Sequence, residues 1–252
     1  MSLPVVIGHR GAPEKAVENT EESFRAALEA GAEIIETDVR ISVDSHVVVA
    51  HDADFSRLGG PRIPIIRCTR DEIERFELEG TDGRTVRPLF MDRVLESFPR
   101  ASFNVDLKDP GPVSVPPWVV LLRRMSAFDR CRTASFSDRT LRLFRSALPE
   151  APVSVARLGV AFLLLEARLG RTRPPGPTEG VLQLPERAGP LRVVAPRTLD
   201  AWHRSGWKIH VWTVDNEEDM RRLIAWGVDG IITNRPSLLK RTIDSASSGE
   251  SS

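Results

Sequence analysis

Cysteine is nearly absent from this chain, which holds only Cys68 and Cys131. Two thiols build no disulfide framework, and so few fit a reducing compartment. Net charge is absent as well. Lys plus Arg and Asp plus Glu both number 35, a balance that argues against a general nucleic-acid binder or a polybasic membrane anchor. No basic stripe interleaved with aromatics appears either, so no nucleic-acid partner is expected. No apolar run approaches the roughly 20 residues needed to cross a bilayer, so no transmembrane segment is expected. The longest, Val160-Ala161-Phe162-Leu163-Leu164-Leu165, is followed by Arg168 and Arg171 and is expected as a buried core helix rather than a membrane-touching one. Met1-Ser2-Leu3-Pro4 leads straight into a strand-like run and leaves no room for a signal peptide. A cytoplasmic protein is expected.

What is present suits one large α/β unit. The 252 residues are 41% apolar and 28% charged, enough for a sizeable core with an ordinary surface. Strand-like runs fall near 5-8, 33-39, 102-107, 132-136, 152-156, 181-184, 208-213 and 229-232. Helical periods alternate with them near 20-30, 91-98, 115-127, 138-147, 158-169, 196-205, 217-226 and 236-242. Thr20, Ser137 and the pair Asp215-Asn216 stand where helix N-caps are needed, each followed by acidic residues. Gly31, Gly206 and Gly227 fall where helices should stop. Eight such rounds predict a (β/α)8 TIM barrel over 1-243. Residues 53-88 are too many for a simple loop after the second strand and predict a small insertion with a helix over 69-76. Residues 170-180 read as a Pro/Gly-rich loop, and 244-252 as a Ser-rich disordered tail.

Chemistry collects at the predicted C-terminal ends of strands, where barrel active sites lie. His9 and Arg10 follow the first strand, and Glu36 and Asp38 end the second. His51 follows Val47-Val48-Val49-Ala50, and Asn104, Asp106 and Lys108 alternate at the end of the third. Alternation puts Glu36 with Asp38, and Asn104 with Asp106 and Lys108, on shared faces. Like charges on one interior face repel unless a cation lies between them. Two imidazoles, an arginine and paired carboxylates are what metal-assisted phosphate chemistry requires. Trp212 is expected on the pocket wall, with Phe136 a weaker candidate. Asp52 and Arg57 are candidate supporting groups. His46, His203 and His210 are read as lacking acidic company and are expected in loop, surface or strand positions.

In order, His9-Arg10-Gly11, Glu18-Asn19-Thr20, Gly31 through Val39, His51-Asp52, Asn104-Val105-Asp106-Leu107-Lys108, Val211 through Asp215 and Gly227 through Pro236 resemble the glycerophosphodiester phosphodiesterase family of the PLC-like phosphodiesterase superfamily. The resemblance implies hydrolysis of a small-molecule glycerophosphodiester to an alcohol and glycerol 3-phosphate. It further implies one divalent cation, Mg2+ or Ca2+, on Glu36, Asp38 and Asp106. His9 and His51 would be the acid and base, in either order, with Arg10 and Lys108 on the phosphate. The family usually has Glu at 106, Pro at 17, Gly at 45 and Asp at 234, where this chain has Asp106, Val17, Ser45 and Asn234. A relative acting on lysophospholipids or another phosphodiester is the alternative, favoured if Phe162 through Leu165 and residues 53-66 form an apolar mouth. A barrel that binds metal or phosphate without catalysis is a further one.

Overall fold

Apolar runs flanked by helical periods enter one parallel sheet. In the computed structural model, which describes residues 3–80, 83 and 85–249, strand Val5–His9 lies between Ile34–Ile41 and Gly230–Thr233. On one side the parallel order continues through Ser102–Leu107 to Cys131–Ala134. On the other it continues through Lys208–Trp212 to Val181–Pro185. Between the two arms Val153 bridges Thr133 in parallel, and its N–H donates at 3.0 Å to the carbonyl of Thr178, which precedes Val181–Pro185. First and last strands are thus neighbours in a (β/α)8 arrangement, as the alternation predicts.

The fifth strand is the exception. Expected over 152-156, it is reduced to the single bridge at Val153. The Pro152 carbonyl accepts from Thr133 N–H, but Pro152 has no N–H with which to extend the ladder a step further.

Helix starts follow their caps. Thr20 Oγ1 accepts from Ser23 N–H at the head of Glu21–Glu29, and Ser137 and Asn216 do the same for Asp138–Ala147 and Glu217–Trp226. The helix expected from 115 starts earlier, spanning Gly111–Arg124, with Pro112 in its first turn where a missing N–H costs nothing. Two apolar clusters fill the fold, one around Phe24, Phe103, Trp118 and Phe144, the other around Leu182, Trp202, Trp207 and Ile231.

After the second strand the chain doubles back. Val47–Val49 pairs antiparallel with Val39–Ile41, and Leu89–Phe90 pairs antiparallel with Val47–Val49 in turn. Ser45 takes φ 66 in the connecting turn, the position where the resembled family uses glycine. The insertion has its own small core of Phe55, Ile65, Ile73 and Leu78. Its helix is shorter than expected, Arg70–Ile73, and is closed by a Thr69–Glu72 capping box.

Two further expectations are corrected. Helix Arg157–Arg168 is not buried along the 160-165 run: Leu163 and Ala167 face the core, whereas Phe162 and Leu165 are exposed. The last helix, Pro236–Gly249, continues through most of the tail expected to be disordered; residues 250–252 lie outside the described residues. The helical sense of 244–249 is set by continuing a helix already anchored through Leu239 and Ile243. Both cysteines are buried and unbridged. Among the described residues no helix is long and apolar enough to cross a membrane.

Candidate active site

Parallel register gathers the charged residues. His9 lies opposite Glu36, Glu36 opposite Asn104, and Asp38 opposite Asp106. These five side chains, with Arg10, His51, Lys108 and Trp212, line one cavity of about 620 Å³. The predicted catalytic, metal and phosphate residues are all on its wall, with Asp52 and Arg57, the candidate supporting groups, outside it. Among the remaining histidines, His46 and His203 do have acidic partners, Asp44 and Asp229, but lie outside the cavity.

The loop after the first strand is held by Ser23, whose hydroxyl donates to Arg10 O at 3.1 Å and accepts from Ala12 N–H at 2.8 Å. Gly11 sits at φ 92, and a Cβ there would stand 2.4 Å from Ser23 Oγ. Only glycine permits so close an approach. Arg10, itself at φ 56, turns its guanidinium between Glu18 Oε1 at 2.9 Å and Asp38 Oδ2 at 3.1 Å.

The two histidines are supported in opposite ways. His9 Nδ1 is 2.7 Å from Asn234 Oδ1, while Asn234 Nδ2 donates to Asp215 Oδ2 at 2.7 Å and its N–H to Asp215 Oδ1 at 2.8 Å. A carboxylate only accepts, so Asp215 orients the amide with its oxygen toward His9. The proton therefore sits on His9 Nδ1, leaving Nε2 with a bare lone pair, 3.8 Å from Glu36 Oε2. Burial holds this imidazole below its ordinary pKa of 6.5, with the Asn234 bond offsetting only part of the effect. His51 Nδ1 instead meets the Asp52 carboxylate at 2.8 Å, and since a carboxylate only accepts, Nδ1 carries a proton. Burial alone would raise Asp52, but bonds from His51 and Arg57 hold it below its usual range.

Arg57, carried by the insertion, connects these supports. Its Nε lies 2.5 Å from Asp52 Oδ2, and its Nη1 donates to Glu18 Oε2 at 3.1 Å. One guanidinium thus braces both the partner of His51 and the partner of Arg10. Asp52 and Arg57 stand in the supporting places expected of them. Glu18, Asp215 and Asn234 were not singled out as site residues, although all three lie inside the motifs.

Lys108 changes the picture of the acids. Its Nζ stands between Asp38 Oδ1 at 2.8 Å and Asp106 Oδ2 at 2.7 Å, where the expectation put it on the phosphate. Burial alone would lower Lys108, yet the two aspartates raise it on balance. Among the described residues no three metal-binding side chains already converge as an ion cage. The donor set nonetheless fits a hard cation. Asp106 Oδ1 and Asn104 Oδ1 are buried oxygens with no hydrogen-bond partner among the described residues. Burial, with Asp38 and Asp106 nearby, pushes Glu36 well above the usual carboxylate range. Unpaired oxygens and surplus negative charge are what a divalent ion satisfies.

The far wall is apolar. Trp212 and Phe136 meet edge-to-face with ring centroids 5.9 Å apart, and Arg157 lies over the Phe136 ring at 4.7 Å. Val160, Ala161 and Leu164 of helix Arg157–Arg168 continue this wall, with Leu191 and Val193.

Known proteins share both sequence and fold. The glycerophosphodiester phosphodiesterase of Caldanaerobacter subterraneus subsp. tengcongensis is 28% identical over 247 residues, covering 93% of this chain and 96% of its own. A lysophospholipase D from Rattus norvegicus is 22% identical, covering 96% and 86%. An Oleispira antarctica phosphodiesterase, solved with the product sn-glycerol-3-phosphate, superposes with a TM-score of 0.78 at 20% identity, covering 96% of this chain and 97% of that one. Residues 9–238 match the profile of the glycerophosphoryl diester phosphodiesterase family, so the chain belongs to that family.

Proposed function

We propose that the protein hydrolyses a glycerophosphodiester to an alcohol and glycerol 3-phosphate, with His9 as general base and His51 as general acid. The observation that carries this reading is the opposed support of two imidazoles across one charged cavity. His9 has an amide at Nδ1 and an open Nε2, whereas His51 has a carboxylate partner. Family membership and the names of the relatives support the substrate class. A cytoplasmic location fits the two buried, unbridged thiols.

The attacking hydroxyl loses its proton to His9 Nε2 as its oxygen bonds to phosphorus; when it is water's, glycerol 3-phosphate forms directly, and when it is the glycerol moiety's own, a cyclic phosphate forms and water then adds to phosphorus, opening the ring to glycerol 3-phosphate. The bond from phosphorus to the departing alkoxide breaks as His51 gives that oxygen a proton. Each transfer is worth ~10²–10⁴-fold. Arg10 presents a planar fork to the phosphate oxygens. Glu36, Asp38 and Asp106 would hold Mg2+ or Ca2+, which supplies Lewis-acid stabilisation of charge developing on the phosphoryl group.

A second reading, a diester bearing an acyl chain, is favoured by the apolar wall of Trp212, Val160 and Leu164. Its likeness to the rat lysophospholipase D supports it too. Residues 53-66 contribute nothing to that wall, in contrast to the expectation of an apolar mouth there.

Glycerol 3-phosphate release from glycerophosphocholine, with Mg2+, with Ca2+ and with EDTA, tests the activity; no release under any condition would overturn it for this substrate. A diester with a p-nitrophenolate leaving group tests the roles, because so good a leaving group needs no acid. His51→Ala should recover most of its rate on that substrate, and His9→Ala should not. The reverse pattern exchanges the two roles.

A further inference from the structure

Helix Arg157–Arg168 carries apolar side chains on three faces, and only two of them have a partner. Leu163 and Ala167 are buried in the core, and Val160, Ala161 and Leu164 line the cavity. The third face is bare. Leu158, Phe162, Leu165 and, just past the helix end, Leu169 are 62%, 64%, 55% and 70% exposed. Their spacing of four, three and four residues places them on one stripe along the helix. A helix that is apolar all round is normally buried. Here the uncovered stripe runs through the exposed Ala161 directly into the cavity wall. Phe136 and Leu191, 45% and 39% exposed, line the cavity and extend the patch around its mouth.

The segment that carries most of the patch is basic although the chain as a whole is neutral, with Asp138 meeting it at Leu158 N–H. Residues 157–192 contain six arginines (157, 168, 171, 173, 187 and 192), three glutamates and no lysine or aspartate. All six arginines are exposed. Apolar residues in the middle, arginines at the rim and too short a span to cross describe a helix that lies in a membrane interface.

We propose that this face docks on an anionic lipid bilayer, from which a single-chain phosphodiester lipid enters the cavity with its acyl chain along the apolar wall. Docking stands on the patch and the arginines; lipid entry rests on the phosphodiesterase reading above. The apolar wall joins the stripe on one side and, through Phe136, whose ring centroid lies 5.6 Å from Lys108 Nζ, reaches the charged end of the cavity that holds Arg10 on the other, so chain and phosphate of one amphiphile can occupy one cavity together. A second copy of the chain is disfavoured as the occupant, since the arginine rim would face itself across a two-fold contact.

The full-length protein is mixed with sedimentable vesicles of phosphatidylcholine alone or with an equal part of phosphatidylglycerol. The comparison is a Phe162→Ser, Leu165→Ser double variant, its fold checked by circular dichroism. Neither side chain lines the cavity, so turnover of soluble glycerophosphocholine should be unchanged. The expected result is binding to the mixed vesicles, weakened by salt, and reduced about tenfold or more in the variant. Hydrolysis of lysophosphatidylcholine embedded in those vesicles should fall in parallel. Failure of the wild type to bind, or equal binding by the variant, overturns the proposal. So does a wild-type dimer in sedimentation velocity that the variant converts to monomer without any vesicle binding. Vesicle binding with no hydrolysis of any diester would support docking and overturn the activity instead.

Discussion

His9 and Asn234, 225 residues apart in sequence, are joined by a 2.7 Å hydrogen bond from Nδ1 to Oδ1. An aspartate there, usual in the resembled family, would set one carboxylate against that of Asp215. Asparagine instead donates to Asp215 and accepts from His9, which fixes the tautomer without adding charge.

Asn234→Leu should therefore lower kcat by about tenfold to a hundredfold, because the imidazole loses the partner that orients it. Asn234→Asp should raise the His9 pKa. As the proposed general base, His9, held below 6.5 by burial, should set the acid limb, so wild-type kcat/KM should fall as pH drops through the lowered value. In Asn234→Asp the acid limb should move to higher pH. An unmoved limb would show that Asn234 does not act through His9.

Lys108 occupies aspartate oxygens that the proposed divalent cation would also use. Lys108→Met leaves Asp106 without its counter-charge and Asp38 with Arg10 alone, a loss of about 3 kcal/mol of stability in EDTA. Mg2+ should then raise the Tm of the variant more than that of the wild type. Equal thermal shifts would mean that the ion, if bound, uses other oxygens.

Arg57→Gln should lower turnover of glycerophosphocholine by about tenfold while leaving the barrel folded, since Arg57 positions Asp52 and Glu18 from outside the cavity. The deficit should shrink on the p-nitrophenyl diester if Arg57 acts mainly through Asp52 and His51. A deficit of the same size on both substrates would point to Glu18 and Arg10.

His210 offers a stability test away from the chemistry. Burial and, secondarily, Arg132 push its pKa down to about 4 from the ordinary 6.5. Its ring fills the space where a Cβ on Gly230 would stand, and its Nδ1 has no hydrogen-bond partner among the described residues. Above pH 6.5 the ring is neutral in both states and nothing is lost. As pH falls from 6.5 through 4 the unfolded chain takes up the proton first, so about 3 kcal/mol is lost over that window. Urea unfolding should show the wild type weakening against His210→Gln across this range. Parallel pH profiles would contradict a neutral buried His210.

Much of the fold was readable because it depends on short periods. Alternating apolar runs and helical stretches set seven of the eight strands near their observed places, and Thr20, Ser137 and Asn216 start the helices expected of them. The fifth strand failed at Pro152, where a missing donor outweighs an apolar run. Helix Arg157–Arg168 showed the other weakness. Composition predicts burial for so apolar a segment, but whether a neighbour covers each face depends on packing that composition does not contain.

The sequence by itself determined that Glu36 and Asp38, and likewise Asn104 and Asp106, share a face, because strand alternation is a property of adjacent residues. It also determined the order of strands and helices and the family motifs at their ends. Only the tertiary structure decided that Asn234 holds His9, that Arg57 of the insertion braces Asp52 and Glu18, and that Lys108 sits between two aspartates. These pairings join side chains from different turns of the barrel. Their partners are chosen by strand register and by the need of each buried charge for a counter-charge within a few ångströms, and neither is encoded in local spacing.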